Sequence, residues 1–320
     1  EPKPVQPLPY DASHVTMTYS ALNTLLILGD DLSRVNRDAV MAGILSLQSE
    51  NSNFINASVL CHEFDARFVF SAVASAYILD QLDKLDIEGY VRFITKSLTF
   101  EGGFGHLPQL EAHAGATYCN LACLKLLGKL ESVLPERSRQ REKLIYWLLQ
   151  RQKVGFNGRS GKDDDSCYTF WVGACLQMLH MDPYVDRDKL LEFISTTWDP
   201  MVGGFMRSAD ANYVDPLHSF LTVSGLSTLL LGPAKTKRLG TDLTTTLEDL
   251  RLTTSPPGLL TDLLDLIYGA GVDENEKRSS GALSGLEFVV PELNIPQSAF
   301  DRLKLIHQKW RSAETDDLTS

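Results

Sequence analysis

No stretch of this 320-residue sequence is apolar for long enough to cross a bilayer. The longest apolar run, about Phe220–Leu231, is broken by Thr and Ser and falls short of the ~20 residues a spanning helix needs. Cysteine is scarce and odd in number: Cys61, Cys119, Cys123, Cys167 and Cys175 are scattered. That excludes a disulfide framework and reads as reduced thiols in an intracellular, cytoplasmic protein. Cys119 and Cys123, four apart on a helical run, read most simply as small buried apolar residues. Basic residues number 30 against 41 acidic ones, a net charge of −11. Such a balance excludes a nucleic-acid or anionic-membrane surface over the whole molecule, though not a local basic pocket. No signal-peptide pattern opens the sequence, whose first ten residues are Pro-rich and polar, and Leu318-Thr319-Ser320 carries no lipidation box. Period-two alternation is missing as well, which predicts almost no sheet.

What the sequence has is a repeat. Turns at Ser52-Asn53-Phe54, Gly102-Gly103-Phe104, Gly155-Phe156 and Gly203-Gly204-Phe205 place their Phe residues 50, 52 and 49 apart. That period belongs to helical solenoids and closed arrays. Runs with dense apolar helical spacing recur at Val15–Leu28, Arg67–Leu82, Ala116–Leu127, Cys167–Leu179 and Leu217–Leu231. Being apolar nearly all round, they read as inner, packed helices. Amphipathic runs lie between them, at Arg37–Leu47, Ile87–Ser97, Arg141–Gln150 and Arg187–Thr197, and read as outer helices. Inner–outer pairs make either an open superhelix or a closed ring, and the buried inner helices favour a ring around a central cavity. The expected class is all-α, an α-α toroid, as one domain over residues 1–310. Lys235–Ser284, rich in Thr, Ser, Leu and acids around Pro256-Pro257, reads as an insertion, with a short helix at Thr261–Tyr268 and a charge run at Asp273–Arg278. A last helix is expected over Pro296–Trp310, capped by Ser298, with residues 311–320 a disordered tail.

The unusual polar residues cluster at the starts of the inner runs. Asp65 and Arg67 open the second, and His113 precedes the third. Asp165, Cys167 and Tyr168 open the fourth, and Asp215 and His218 open the fifth behind Pro216. Parallel inner helices would bring these starts to one rim, where helix N-termini attract anions. His218 follows Cys167 by 51 residues, one repeat. A carboxylate, a thiolate and an imidazole on neighbouring helices make three metal ligands with a fourth position open, the pattern of a catalytic zinc. Each has a plainer reading by itself: Asp165 as an N-cap, His218 as a capping histidine, Arg67 as a partner for Asp65, Trp171 as core. Arg159 and Lys162 just upstream, with Tyr168 just after, suit phosphate oxygens.

The segment GRSGKDDDSCYTFW resembles the G-R-x-x-K-x-x-D-x-C-Y-x-x-W motif of protein prenyltransferase β subunits. Glu111–Cys119, EAHAGATYC, resembles their E-x-H-x-G box, and Gly203–Phe220 their final histidine repeat. ILGDDLSRVNRDA at Ile27–Ala39 looks most like the β subunit of type I protein geranylgeranyltransferase. The likeness covers about Pro9–Gly232 and returns at Leu303–Trp310. It implies an α-α toroid and one Zn²⁺ at Asp165, Cys167 and His218. It also implies diphosphate contacts at His113, Arg159, Lys162 and Tyr168, and Arg67 near the C-terminus of a peptide acceptor. Phe70, Gly115, Cys119 and Trp171 match positions lining an isoprenoid cavity, with Phe70 where the family usually has Tyr. Arg207 falls where farnesyl-type relatives place an acid that helps hold Mg²⁺, so zinc dependence without magnesium dependence is expected. The sequence starts where the family would already have completed a first helical hairpin, the part that sets isoprenoid length.

The resemblance implies transfer of a geranylgeranyl group from geranylgeranyl diphosphate to a cysteine in a C-terminal C-a-a-X box, X often Leu. Acceptors would be proteins such as small GTPases, and the chain would act as the catalytic subunit of a heterodimer with a helical α subunit. Rival readings are a Rab-type geranylgeranyltransferase β subunit and a non-catalytic, zinc-stabilised helical scaffold. A terpene-cyclase-like toroid is disfavoured because the sequence has no D-x-D-D-type motif.

Overall fold

The computed structural model describes residues 12–48, 54–231 and 287–319. Inner helices are α1 (Val15–Ile27), α3 (Ala66–Ile78), α5 (Ala114–Leu126), α8 (Tyr168–Met178) and α10 (Pro216–Leu230). Outer helices are α2 (Arg37–Ser46), α4 (Ile87–Lys96), α7 (Arg139–Leu149) and α9 (Arg187–Thr197), with a single turn α6 (Leu130–Val133) before α7. A terminal helix, α11, spans Gln297–Thr319. Sheet among the described residues is limited to two antiparallel pairs, β1 (Asn56–Ser58) with β2 (Cys61–Phe64) and β3 (Val289–Val290) with β4 (Ile295–Pro296), besides isolated bridges. The described residues form two compact units: residues 1–143 with 298–320, and residues 144–297.

The repeat has a backbone signature. Residues past each outer helix bridge to the following turn, as Gln48 to Ile55, Leu98 to Phe104, Gln152 to Phe156 and Trp198 to Phe205. The residue on the turn side is fully buried in every repeat. The sequence pattern points to Phe54 in the first turn, but Ile55 takes the buried position, and Phe54 stacks on Phe64 at 3.8 Å instead. An apolar plug is what the position requires, and an aliphatic side chain serves. Hydroxyls four residues past the inner-helix caps hold two of these turns: Phe104 N–H donates to Thr117 Oγ1 (2.9 Å) and Phe205 N–H to Ser219 Oγ (2.9 Å).

Helices α3, α5 and α8 are buried on nearly every face, as their composition predicts. In the first unit α3 packs against α1 and α5; in the second α8 packs against α10. A Cβ at Gly225 would meet Thr169 and Phe170 backbone, one at Gly173 would meet Leu229, and Thr222 Oγ1 donates to Ser166 O (3.3 Å). These pairings advance together along both chains, so α8 and α10 run parallel and their first turns lie side by side.

Three expectations need correction. Helix α1 is not buried all round: only Val15, Leu22, Asn23 and Leu26 are, because its packing is against α3, and Met17 and Leu28 are exposed. The last helix does not stop at Trp310, so residues 311–319 are helical and not a disordered tail. Contacts beyond Trp310 sustain it: Arg311 pairs with Asp80, and the Ser312 and Thr315 hydroxyls bond back to Gln308 O and Arg311 O. Arg37 also lies over the Trp310 ring at 4.1 Å. Ser298 lies inside this helix and does not cap it. The expected insertion at residues 235–284, with its helix at Thr261–Tyr268, lies outside the described residues.

Candidate metal centre

Asp165, Cys167 and His218 each offer a ligand atom, and these atoms all lie within 4.8 Å of one another. Among the described residues this is the one such group of three. Its local construction starts in the turns that open the two helices. Asp165 Oδ1 accepts from Cys167 N–H (3.0 Å), a turn just ahead of α8 that leaves the Cys167 sulfur at the helix start, with Cys167 itself the N-cap residue. Asp165 N–H donates to Phe156 O (2.9 Å), tying the ligand to the repeat turn. Ser166 bonds across to the neighbouring repeat, N–H to Arg207 O (2.8 Å) and Oγ to Met206 O (2.7 Å).

On α10, Asp215 caps the helix by accepting from His218 N–H (2.9 Å), and its other oxygen meets His218 Nδ1 at 2.5 Å. Nε2 then faces Asp165 Oδ1 at 3.4 Å. A carboxylate on one imidazole nitrogen, with the other turned to a carboxylate and a thiol, is how metal-binding histidines are oriented. Burial alone would raise the Asp215 carboxyl, but the His218 N–H and ring outweigh it and hold it below its ordinary value. Burial, with the Asp165 carboxylate beside it, pushes the Cys167 thiol well up, while Trp171 and Arg207 act the other way. A buried acid, thiol and oriented imidazole in close approach fit a divalent soft-to-borderline cation, which would take the thiol as thiolate.

Cationic groups border this trio. Arg207 Nε donates to Asp165 Oδ2 (3.0 Å), with the Arg side chain largely exposed. Tyr168, pushed up to about 12 by burial and then by Cys167 and Asp165, feels Arg159 and Arg207 as opposing charges. A Cβ at Gly158 would lie 2.3 Å from the Tyr168 ring and hydroxyl, so the phenol packs on the loop that carries Arg159. Lys162 is exposed on that loop. Trp171 makes an edge contact with Phe170 at 5.4 Å.

The remaining sequence-derived residues lie in the first unit. His113 caps α5, its Nδ1 accepting from Gly115 N–H (3.1 Å); a Cβ at Gly115 would crowd that ring at 3.3 Å. His106 stands beside it, ring centroids 5.0 Å apart, and 3.7 Å from Asp65. Arg67 is forked onto this chain's own acids, with Nη2 2.7 Å from Asp65 Oδ2 and 2.6 Å from Glu63 Oε1. Phe70 lies edge-on between Tyr19 (5.1 Å) and Tyr118 (5.3 Å), and Cys119 is buried nearby on α5 with its thiol pushed up by burial. Sequence reasoning missed His14, which caps α1 as His113 caps α5, and His106. It noted Asp215 only as a helix opener; the signal for more was an acid three residues before a histidine at a helix start.

Residues 4–246 match the prenyltransferase alpha-alpha toroid domain, about three-quarters of the chain, and the chain belongs to that family. Its fold class is therefore the all-α toroid that the repeat suggests. The chain is 38% identical over 221 residues to the geranylgeranyl transferase type-1 subunit beta of Dictyostelium discoideum, covering 69% of this chain and 61% of that protein. It is 33% identical over 229 residues to the protein of the same name from Arabidopsis thaliana, covering 69% and 60%. The chain thus spans about three-fifths of the length of these relatives. Among solved structures, Candida albicans protein geranylgeranyltransferase-I complexed with GGPP matches with a TM-score of 0.68 at 21% identity, over 94% of this chain and 77% of that one, a likeness of fold. No described helix is long and apolar enough to cross a membrane.

Proposed function

We propose that this chain is the catalytic β subunit of a type I protein geranylgeranyltransferase, joining a geranylgeranyl group to the cysteine of a C-terminal C-a-a-X box. The observation that carries the reading is the convergence of Asp165, Cys167 and His218 beside Arg207 and Tyr168, in a member of the prenyltransferase family. Asp165, Cys167 and His218 would hold Zn²⁺. When bound, zinc lowers the pKa of the acceptor cysteine and keeps it as thiolate at neutral pH.

The chain's own residues do the rest. Asp215 fixes the His218 tautomer, and the Trp171 indole supports the Cys167 sulfur. Arg159, Lys162 and Tyr168 offset the charge that builds on the leaving diphosphate as the thioether forms and the C1–O bond breaks. Arg207 holds Asp165 through Nε while most of its side chain is exposed, which leaves its outer N–H groups to serve a diphosphate oxygen. Its fixed charge takes the place of Mg²⁺, so we expect no magnesium requirement. Phe70, Gly115 and Cys119 line an apolar surface for the isoprenoid, whose burial contributes about 0.8 kcal/mol per CH₂. Arg67 leaves its own acids to meet the acceptor carboxylate. The chain works as one domain, in a cytoplasmic heterodimer with a helical α subunit, on acceptors such as small GTPases.

Zinc quantification and prenyl transfer to a short C-a-a-L peptide, with the α subunit present, test this directly with farnesyl and geranylgeranyl diphosphate in parallel. Zinc-dependent geranylgeranyl transfer without added Mg²⁺ is expected. Transfer that needs an escort protein would move the chain to the Rab-type enzyme, and zinc without transfer would make it a scaffold. Cys167→Ala should abolish zinc binding and turnover while leaving isoprenoid diphosphate binding largely intact; undiminished zinc content would contradict the ligand assignment.

A further inference from the structure

The loop bearing Arg159 and Lys162 is held from beneath by residues that the proposed chemistry does not use. Arg151, just past α7, is buried at 6% exposure. Burying a guanidinium is costly unless its N–H groups are engaged. Nε donates to Trp147 O (3.2 Å), one Nη to Asn157 Oδ1 (3.3 Å) and the other to Ser160 Oγ (3.3 Å), and the Trp147 ring lies 4.7 Å from the guanidinium carbon. Asn157, itself buried, closes the circuit: both its Nδ2 (2.8 Å) and its backbone N–H (2.9 Å) donate to Arg151 O.

Asp164 fastens the other end of the loop. Its Oδ2 accepts from the backbone N–H groups of Val154 (3.1 Å) and Gly155 (2.9 Å), and its Oδ1 from Asn157 Nδ2 (3.4 Å). Lys153 Nζ donates to Lys162 O (2.9 Å). Arg159 therefore sits between the two residues on the Arg151 fork, and Lys162 between Ser160 and Asp164. A loose loop would have to order both cations as an anion bound, at a cost in affinity; a pre-ordered one does not.

We infer that Arg151, Asn157 and Asp164 are positioning residues for diphosphate recognition. They hold Arg159 and Lys162 at a fixed spacing for the diphosphate oxygens and touch neither anion nor metal. The inference rests on the prenyl-transfer reading for the identity of the anion.

The test uses the assembled heterodimer with Arg151→Gln, Arg151→Lys, Asp164→Ala and Ser160→Ala. Binding of geranylgeranyl diphosphate and of geranylgeraniol, which lacks the diphosphate, is measured beside zinc content. Loss of the Arg151 fork, in the Gln or the Lys variant, should weaken geranylgeranyl diphosphate about tenfold, the scale of a lost charged hydrogen bond. Asp164→Ala should weaken it in the same direction. Geranylgeraniol affinity and zinc content should hold, and KM for the diphosphate should rise while KM for the peptide does not. Unchanged diphosphate affinity, equal weakening of both ligands, or full function in Arg151→Lys overturns the inference. Should Arg151→Gln fail to fold, Ser160→Ala removes one exposed contact alone, and a smaller rise confined to the diphosphate is expected; no rise overturns it. A wild-type protein that binds the alcohol as tightly as the diphosphate sinks the anion site itself. A wild type that prefers the diphosphate, matched by every variant, sinks only the strut.

Discussion

A methyl group at Gly225 asks whether the α8–α10 pair sets the metal centre. A Cβ there lies 2.3 Å from Thr169 C and 2.5 Å from Phe170 N, backbone atoms that no rotamer change can move aside. Carbon contacts settle at about 3.5–4.0 Å, so the helices must part by about 1 Å. Alanine is favoured over glycine in a helix by about 1 kcal/mol, while forced repacking costs about 1–3 kcal/mol. The net loss of stability is thus on the order of 0–2 kcal/mol. The metal centre is less forgiving. Zinc bonds of about 2.0–2.3 Å put donor atoms roughly 3.3–3.8 Å apart, and the ligand atoms here already span up to 4.8 Å. An added ångström on the His218 side leaves too little slack to close. Gly225→Ala should therefore lower zinc affinity about 10–100-fold, the range seen when metal ligands lose their supports, in competition against a chelator, while the melting temperature falls only slightly. Gly43→Ala, where nothing lies within 4 Å of the added carbon, is the control and should leave zinc untouched. Wild-type zinc affinity in Gly225→Ala would refute the reasoning.

Asp215→Asn should free the His218 ring to flip and weaken zinc about 10–100-fold with little change in melting temperature; equal affinity would show that the tautomer is set elsewhere. Acid should weaken the first unit in two stages. Burial holds His307 below its ordinary 6.5, so below about that pH the unfolded chain takes up a proton the folded chain resists, and stability present above 6.5 drains away. Asp80, held below 3.8 chiefly by Arg311, contributes stability above that value and loses it only as pH falls through its lower folded one. A melting temperature that is flat from about pH 7 to pH 5, or a His307→Gln variant with an unaltered early stage, would contradict this. Arg311→Ala should destabilise the same unit, through loss of the Asp80 pair, by about 0.5–1.5 kcal/mol in denaturant unfolding.

Much of this could be read from the residues because the repeat writes the same physics several times. Apolar density separated inner from outer helices, and α9 runs over the predicted Arg187–Thr197. Polar residues at otherwise apolar helix starts pointed to Asp165, Cys167 and His218, whose ligand atoms do converge. The harder features depend on partners distant in sequence. Nothing near residue 311 announces that Asp80 awaits it, so composition suggested a tail where there is a helix. Arg151 lies just past the predicted Arg141–Gln150 run, and nothing beside it in the sequence announces that Asn157 and Ser160 meet its fork. Phe54 matched the spacing of the turn phenylalanines, yet burial rewards any apolar group in register, and Ile55 has it.

The grip of α11 on the N-terminal helices carries a consequence for synthesis. Arg302 reaches Leu26 O (2.7 Å), His307 meets Ile78 O (3.1 Å) and Arg311 pairs with Asp80, across 229 to 276 residues of chain. On the ribosome, the carbonyl ends of α1 and α3 emerge long before the side chains that cover them. The early segment must wait, half built, while all of residues 144–297 is translated. A nascent chain stalled in that interval presents an unfinished surface to chaperones, which residues 298–319 cover only once they have been made.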